Sequence, residues 1–260
     1  MKCLGKKTFI SLTLFFLLCN YTQAFFQEPS NSVLKPDTAI VDFRSVTDFK
    51  KQHIKGAVNL PFDLFWQNFI ANQRDAFSFL ASLGVVPTKN ILLVNYNNSA
   101  DNLISDAAFA TILHYGGFKN VALLEGGMEG WVKKRLFVSS LGEEIQPKQY
   151  KFVFDEGVYY KQSAKKVTKK RKRDVLLCLE EADGGMQKKF NVVSVDIKML
   201  FKNNMLKTKD EIEEYFKGLQ VTKENVLIVY PDYKKDSYAL AFFLRYYVGF
   251  SNVFILKGGR

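Results

Sequence analysis

Short aliphatic runs alternate with stretches of helical period along most of this chain. Ala39–Phe43, Ile91–Asn95, Val121–Leu124 and Val226–Tyr230 are each four or five residues long and dominated by Val, Ile and Leu. That is the pattern of strands buried on both faces of a parallel sheet. Between them, Ser105–Tyr115 carries Ala107, Ala108, Ile112 and Tyr115 at helical spacing and runs into Gly116-Gly117, a helix stop. The same periodicity predicts a helix from about Arg74 to Leu83 and another beginning near Tyr238. Strands and helices in alternation predict an α/β fold, a mostly parallel sheet flanked by helices.

The pattern occurs twice. TKNILLVNY (88–96) returns as TKENVLIVY (222–230), and GFKNVALLEGG (117–127) returns as GFSNVFILKGG (249–259). The copies lie 135 residues apart between Ile91 and Val226, and 132 apart between Gly117 and Gly249. So constant an offset predicts two α/β units in tandem. The expected organisation is a first domain over 25–145, a basic connector over 146–173 and a second domain over 174–260.

Composition adds an address and removes several chemistries. Lys2, Lys6 and Lys7 precede an apolar run from Phe9 to Leu18, and Thr22-Gln23-Ala24 supplies small residues for cleavage. This predicts an export signal over residues 1–24, a periplasmic or secreted product and Phe25 as the first mature residue. Ten apolar residues are too few to span a bilayer. Cleavage takes the net charge from +11 to +8, because three lysines leave, and removes Cys3 and Cys19. Cys178 then stands alone, so no intramolecular disulfide is expected. With His53 and His114 as the only histidines there is no metal-ligand spacing, and no phosphate, dinucleotide or serine-hydrolase motif is present. No cofactor and no metal are expected.

Two stretches carry a family resemblance: IVDFRSVTDFKKQHIKGAVNLP (40–61) and LEGGMEGW (124–131). They resemble the rhodanese (sulfurtransferase) domain, with its Asp-x-Arg strand end, Gly-His-Ile-Pro-Gly-Ala-x-Asn-x-Pro turn and closing Gly-Gly-x-x-x-Trp. Asp42, Arg44, His53, Ile54, Gly56, Ala57, Asn59, Pro61, Gly126, Gly127 and Trp131 match, whereas Gln52 and Lys55 depart. The second unit is similar but degenerate: in DVLLCLEE (174–181), Cys178 and Glu180 stand where Asp and Arg belong. It is also expected to be C-terminally short, since Gly258-Gly259 is followed by Arg260 with no closing Trp helix.

The resemblance implies a sulfur atom carried on a loop cysteine, at the carboxyl end of the central strand of the second domain. Such a thiolate is held by backbone N–H groups at a helix N-terminus. Here that position falls on Pro231, which has no nucleophile and no N–H, and on Asn97 in the first unit. The family's chemistry is therefore expected to be missing, leaving a catalytically inactive binding or scaffold module. The alternative is a sulfurtransferase, passing sulfur from thiosulfate or 3-mercaptopyruvate, that uses Cys178 or a partner's thiol. Against it, Cys178 sits inside an apolar strand, where a cysteine is a small core residue.

Other polar groups have structural and functional readings side by side. Asp42, Arg44 and His53 brace a strand end and its turn, together with Gly56, Gly126, Gly127 and Trp131. The loop around Lys234, Lys235 and Ser237 is a candidate anion-binding loop or a solvated one. Residues 161–173 hold eight Lys or Arg and no acid, among them Lys165, Lys166, Lys169, Lys170, Arg171, Lys172 and Arg173. Such a run attracts an anionic membrane surface, an acidic protein or another polyanion, or is a solvated linker. Without interleaved aromatics, nucleic acid is not favoured.

Overall fold

The computed structural model describes residues 26–142, 145–159, 171–180, 184–230 and 234–256. The expected signal segment 1–24, the basic residues Lys165, Lys166, Lys169 and Lys170, the loop residue Pro231 and the terminal glycines lie outside the described residues.

The first unit contains strands β1 (Phe26–Gln27), β2 (Thr38–Asp42), β3 (His53–Ile54), β4 (Ala57–Asn59), β5 (Asn90–Val94), β6 (Val121–Leu124) and β7 (Val138–Ser139). Its helices are α1 (Val46–Lys51), α2 (Phe62–Ala71), α3 (Gln73–Ser82), α4 (Ala100–Tyr115) and α5 (Gly127–Lys133). Five strands form a sheet in the order β1-β6-β5-β2-β4, every pairing parallel, while β3 and β7 make a small antiparallel pair. One face carries Val41, Leu93 and Leu123 against the helical layer that contains Phe65, Phe77 and Phe109. The other carries Ile40, Leu92 and Val94 against Met128 and Trp131 of α5. Apolar side chains on both faces explain why these strands read as unbroken apolar runs rather than as alternation.

The second unit comprises β8 (Asp174–Cys178), α6 (Gly184–Lys189), β9 (Asn191–Ser194), β10 (Phe201–Lys202), β11 (Met205–Leu206), α7 (Lys209–Gly218), β12 (Val226–Val229), α8 (Lys235–Phe242) with a π-helical turn over Phe243–Val248, and β13 (Val253–Ile255). Its sheet runs β13-β12-β8-β9, again parallel, so β8 lies beside β12 as β2 lies beside β5. Asp42 closes β2 and Cys178 closes β8, in matching registers.

Two element boundaries and one helix differ from the sequence pattern. α4 starts at Ala100 rather than Ser105, because Ser99 takes the extended N-cap conformation. α8 starts at Lys235 rather than Tyr238, so Lys235 and Ser237 belong to a helix and not to a loop. α2 falls in a stretch where aromatic and polar residues are mixed, yet it buries Phe62, Phe65 and Phe69 at helical spacing. The first half of the expected connector is also folded onto the first unit. Lys148 and Asp155 donate backbone N–H groups to Ala81 and Tyr115, and Phe152 and Phe154 pack on Phe77.

The units meet through α4 and α8, and one continuous apolar core contains residues of both sheets. Trp66 and Phe69 of the first unit set their rings edge-on to Tyr238 at 5.4 and 6.0 Å. Thr111 donates to the Tyr238 carbonyl at 2.9 Å, across 127 residues of sequence.

Candidate functional site

The carboxyl end of the first sheet is built on one buried ion pair. Asp42 is fully buried and Arg44 is 4% exposed. The Arg44 Nε and Nη2 groups bind the two carboxylate oxygens at 3.0 and 2.7 Å, and its backbone N–H adds a third bond at 3.0 Å. Nη2 also donates to the Gln52 carbonyl at 2.7 Å, tying β2 to the end of α1. Asn59 donates to the backbone oxygens of Asp42 and Arg44 at 3.0 and 2.9 Å, which ties β4 to the same corner. His53 stacks on Phe49 at 3.9 Å and donates from Nδ1 to the Phe49 carbonyl at 2.8 Å. Gly56 turns the chain between β3 and β4 at a φ of +81°, where a side chain is strained.

The loop after β5 is clamped by α5. Met128 and Glu129 donate backbone N–H groups to the carbonyls of Asn95 and Tyr96 at 2.8 and 3.0 Å. This approach requires Gly127: a Cβ there would lie 2.6 Å from the Asn95 oxygen and 2.8 Å from the Asn97 nitrogen. Trp131, fully buried, donates Nε1 to the Phe137 carbonyl at 2.9 Å and anchors the helix from behind. Gly126, in the left-handed region, lets the chain enter α5 directly from β6.

Asn97 occupies the loop's centre and satisfies it internally. Its Oδ1 accepts from the Ser99 N–H at 3.0 Å and from Asn102 at 2.9 Å, and its Nδ2 donates to Glu129 at 2.9 Å. The next amide, at Ala100, donates to Asn204 Oδ1 at 3.0 Å, a residue of the second unit 104 positions away. Asn203 and Asn204, with φ of 51° and 63°, form the turn between β10 and β11. Amide oxygens therefore stand where an anion would accept those N–H groups. Asn204 escaped the sequence analysis, although Asn-Asn between two short apolar runs is a hairpin signal.

On the flank of the same loop, Tyr96 donates its hydroxyl to Asp48 at 2.7 Å, and Ser45 and Lys51 bind the same carboxylate. The hydrogen bonds from Ser45, Tyr96 and Lys51 hold the Asp48 carboxyl far below the usual range. Behind the loop, Asn95 donates to Asp106 at 2.9 Å. Burial pushes the Asp106 carboxyl up to about 7, with the Asn95 bond pulling the other way and the Asp42 charge adding to the rise. Asp106 was legible as an acid inside an apolar helix, but nothing local marked its partners.

In the second unit the matching corner has different chemistry. Cys178 is 1% exposed, packed with Leu176, Phe190, Ile228 and Leu256. Glu180 pairs with Lys234 on the surface. The buried ion pair of the first unit thus has a thiol and an exposed bridge as its counterparts. Lys235 crosses to the first unit, donating to Ser105 Oγ at 3.0 Å and lying 5.7 Å from the Phe62 ring centre. Ser237 is fully buried. The three residues grouped as an anion-binding loop therefore diverge: one on a surface bridge, one in the inter-unit contact and one in the core. Of the basic run, Arg171, Lys172 and Arg173 have exposed side chains, while Asn191 holds the backbone oxygens of Arg171 and Lys172. Among the described residues no three His, Cys, Asp or Glu side chains come together in metal-binding geometry, and no helix is long and apolar enough to cross a membrane.

Residues 28–134 match the rhodanese-like domain family. No curated protein sequence matches the chain. Among solved structures, the chain is similar to SseA from Escherichia coli, whose report concerns 3-mercaptopyruvate sulfotransferases. The TM-score is 0.68 at 18% identity, covering 91% of this chain and 98% of that one. The 3-mercaptopyruvate sulfurtransferase of Leishmania major aligns with a TM-score of 0.62 at 11% identity, over 91% of this chain and 73% of its own. Wild-type EanB aligns with a TM-score of 0.63 at 14% identity, over 86% of this chain and 61% of its own. At these identities the structural matches speak to fold, while the matched residues coincide with the corner and loop built above. The chain therefore contains a rhodanese-like domain over residues 28–134, in a fold similar to that of solved sulfurtransferase structures.

Proposed function

We propose that this is an exported tandem rhodanese-like protein that no longer carries sulfur itself and acts as a binding or scaffold module. One observation carries the proposal: Cys178, the lone cysteine after the expected cleavage site, is 1% exposed at the end of a core strand. A thiol so placed lacks the exposed, electropositive setting that makes a thiolate nucleophilic. The loop positions that the family uses hold Asn97 and Pro231. The second unit, 174–260, is taken as the degenerate copy on the strength of its strand order and the sequence repeat.

The competing reading, a sulfurtransferase working through Cys178 or a partner's thiol, draws support from the likeness to 3-mercaptopyruvate sulfurtransferase structures. Sulfur transfer from thiosulfate and from mercaptopyruvate, assayed in the wild type, Cys178→Ser and Pro231→Cys, separates the two. The proposal expects a silent wild type. Turnover that disappears in Cys178→Ser would overturn it and make Cys178 the carrier. A further role for the basic run, docking to an anionic membrane or polyanion, predicts binding that weakens steeply with added salt.

A further inference from the structure

A cleft of about 440 Å³ opens beside the 95–97 loop of the first unit, between α1 and α5. Its polar groups divide into those already engaged and those left over. Asp48 is held by Ser45, Tyr96 and Lys51, and Glu129 takes the Asn97 amide. Arg44, 4% exposed, uses Nε and Nη2 on Asp42 and the Gln52 carbonyl. Its Nη1 has no partner among the described residues, and the side chain lines the cleft. Lys133, one turn along α5 from Glu129, makes no ion pair among the described residues. The uncommitted groups are therefore two cationic N–H donors and the exposed side-chain amide of Gln52. The rest of the lining is apolar: buried Met128, half-exposed Val132 and the ring of Tyr96.

We propose that this cleft binds a small organic carboxylate, its compact apolar body against Met128, Val132 and Tyr96 and its carboxylate between Lys133 and Arg44 Nη1. Apolar walls with a few convergent polar groups are what small-molecule sites present, and this volume lies within their range. A guanidinium fixed on its other edge loses no further side-chain freedom on binding. The site rests on the binding-module reading and names its ligand chemistry.

The test is an amide NMR titration of the intact chain with phenylacetate, phenylacetamide and inorganic sulfate, in the wild type and in Lys133→Gln. Phenylacetate is expected to shift Tyr96, Met128 and Glu129 and to half-saturate at a concentration about fivefold below the neutral amide, the size a partly exposed charge pair supports. Lys133→Gln, a surface change, should bring acid and amide within about twofold of each other. Equal binding of acid and amide, sulfate matching phenylacetate, shifts confined to other surfaces, or no titration with any probe would each overturn the proposal. Sulfur turnover by the wild type would sink the binding-module reading instead, so the two fail on different measurements.

Discussion

At the scale of single residues, the corner of the first unit depends on charges that satisfy each other out of water. Replacing Arg44 by Ala leaves Asp42 buried and uncompensated, which is expected to cost about 3–5 kcal/mol in chemical denaturation. The mirror position in the second unit has no such dependence. Cys178→Ser should cost about 1–3 kcal/mol, through a hydroxyl placed in an apolar site. Two titrating groups at the junction of the units work against each other. Burial pushes Asp106 up to about 7, so its contribution is fully present below the ordinary carboxylate pKa and is lost as pH rises towards 7. Burial pushes His114 down to about 4, with Arg245 acting in the same direction, so its contribution is present above the ordinary histidine pKa and is lost as pH falls towards 4. Between about pH 4.5 and 6.5 the two slopes cancel. His114→Gln should unmask a stability that falls with rising pH by about 1.4 kcal/mol per unit, and Asp106→Asn the opposite slope. Denaturation midpoints of both variants at matched pH, referred to wild type, check the sign; parallel profiles would contradict it.

At the scale of elements, the ends of helices are where sequence and packing meet. α7 begins with a complete capping box, Thr208 binding the Glu211 N–H and the Glu211 carboxylate binding back to the Thr208 N–H. Thr208→Ala should therefore cost about 1 kcal/mol. α4 is capped differently: Asn97 serves its own loop, and Asn204 supplies the acceptor for Ala100 from another unit. Asn204→Ala is expected to remove about 1 kcal/mol and to raise hydrogen exchange at Ala100 without affecting Ser99. Unchanged exchange at Ala100 would show that the hairpin does not hold the loop. The Gly126-Gly127 turn was legible in the sequence as a motif. Its reason, a backbone approach that leaves no room for a Cβ, is visible only once α5 lies against the 95–97 loop.

At the scale of the whole molecule, the two units share a core and are expected to unfold together. Trp66 and Phe69 meet Tyr238, His114 stacks on Tyr246 at 4.3 Å, and Lys235 reaches Ser105. Scanning calorimetry should show one cooperative transition with calorimetric and van't Hoff enthalpies in agreement. Tyr238→Ala, which removes a ring from the middle of this contact, should cost about 3–5 kcal/mol and split the transition in two. Two separate transitions in the wild type would mean that the shared core adds little coupling.

The sequence by itself determined the strands, the repeat, the Asp42–Arg44 corner and the absence of a cysteine at the loop positions. Each of these is written in residue type and short-range spacing: strands in apolar runs, the corner in an Asp-x-Arg two residues apart, the lack of a cysteine in Asn97 and Pro231. The reach of Lys235, the burial of Ser237, the acidity of Asp106 and the cap from Asn204 were decided by the tertiary structure alone. Lys235 and Ser105 are 130 positions apart, and Asn204 and Ala100 are 104. No local pattern encodes such pairs, because they form only when α4 and α8 pack and bring the carboxyl ends of two sheets together.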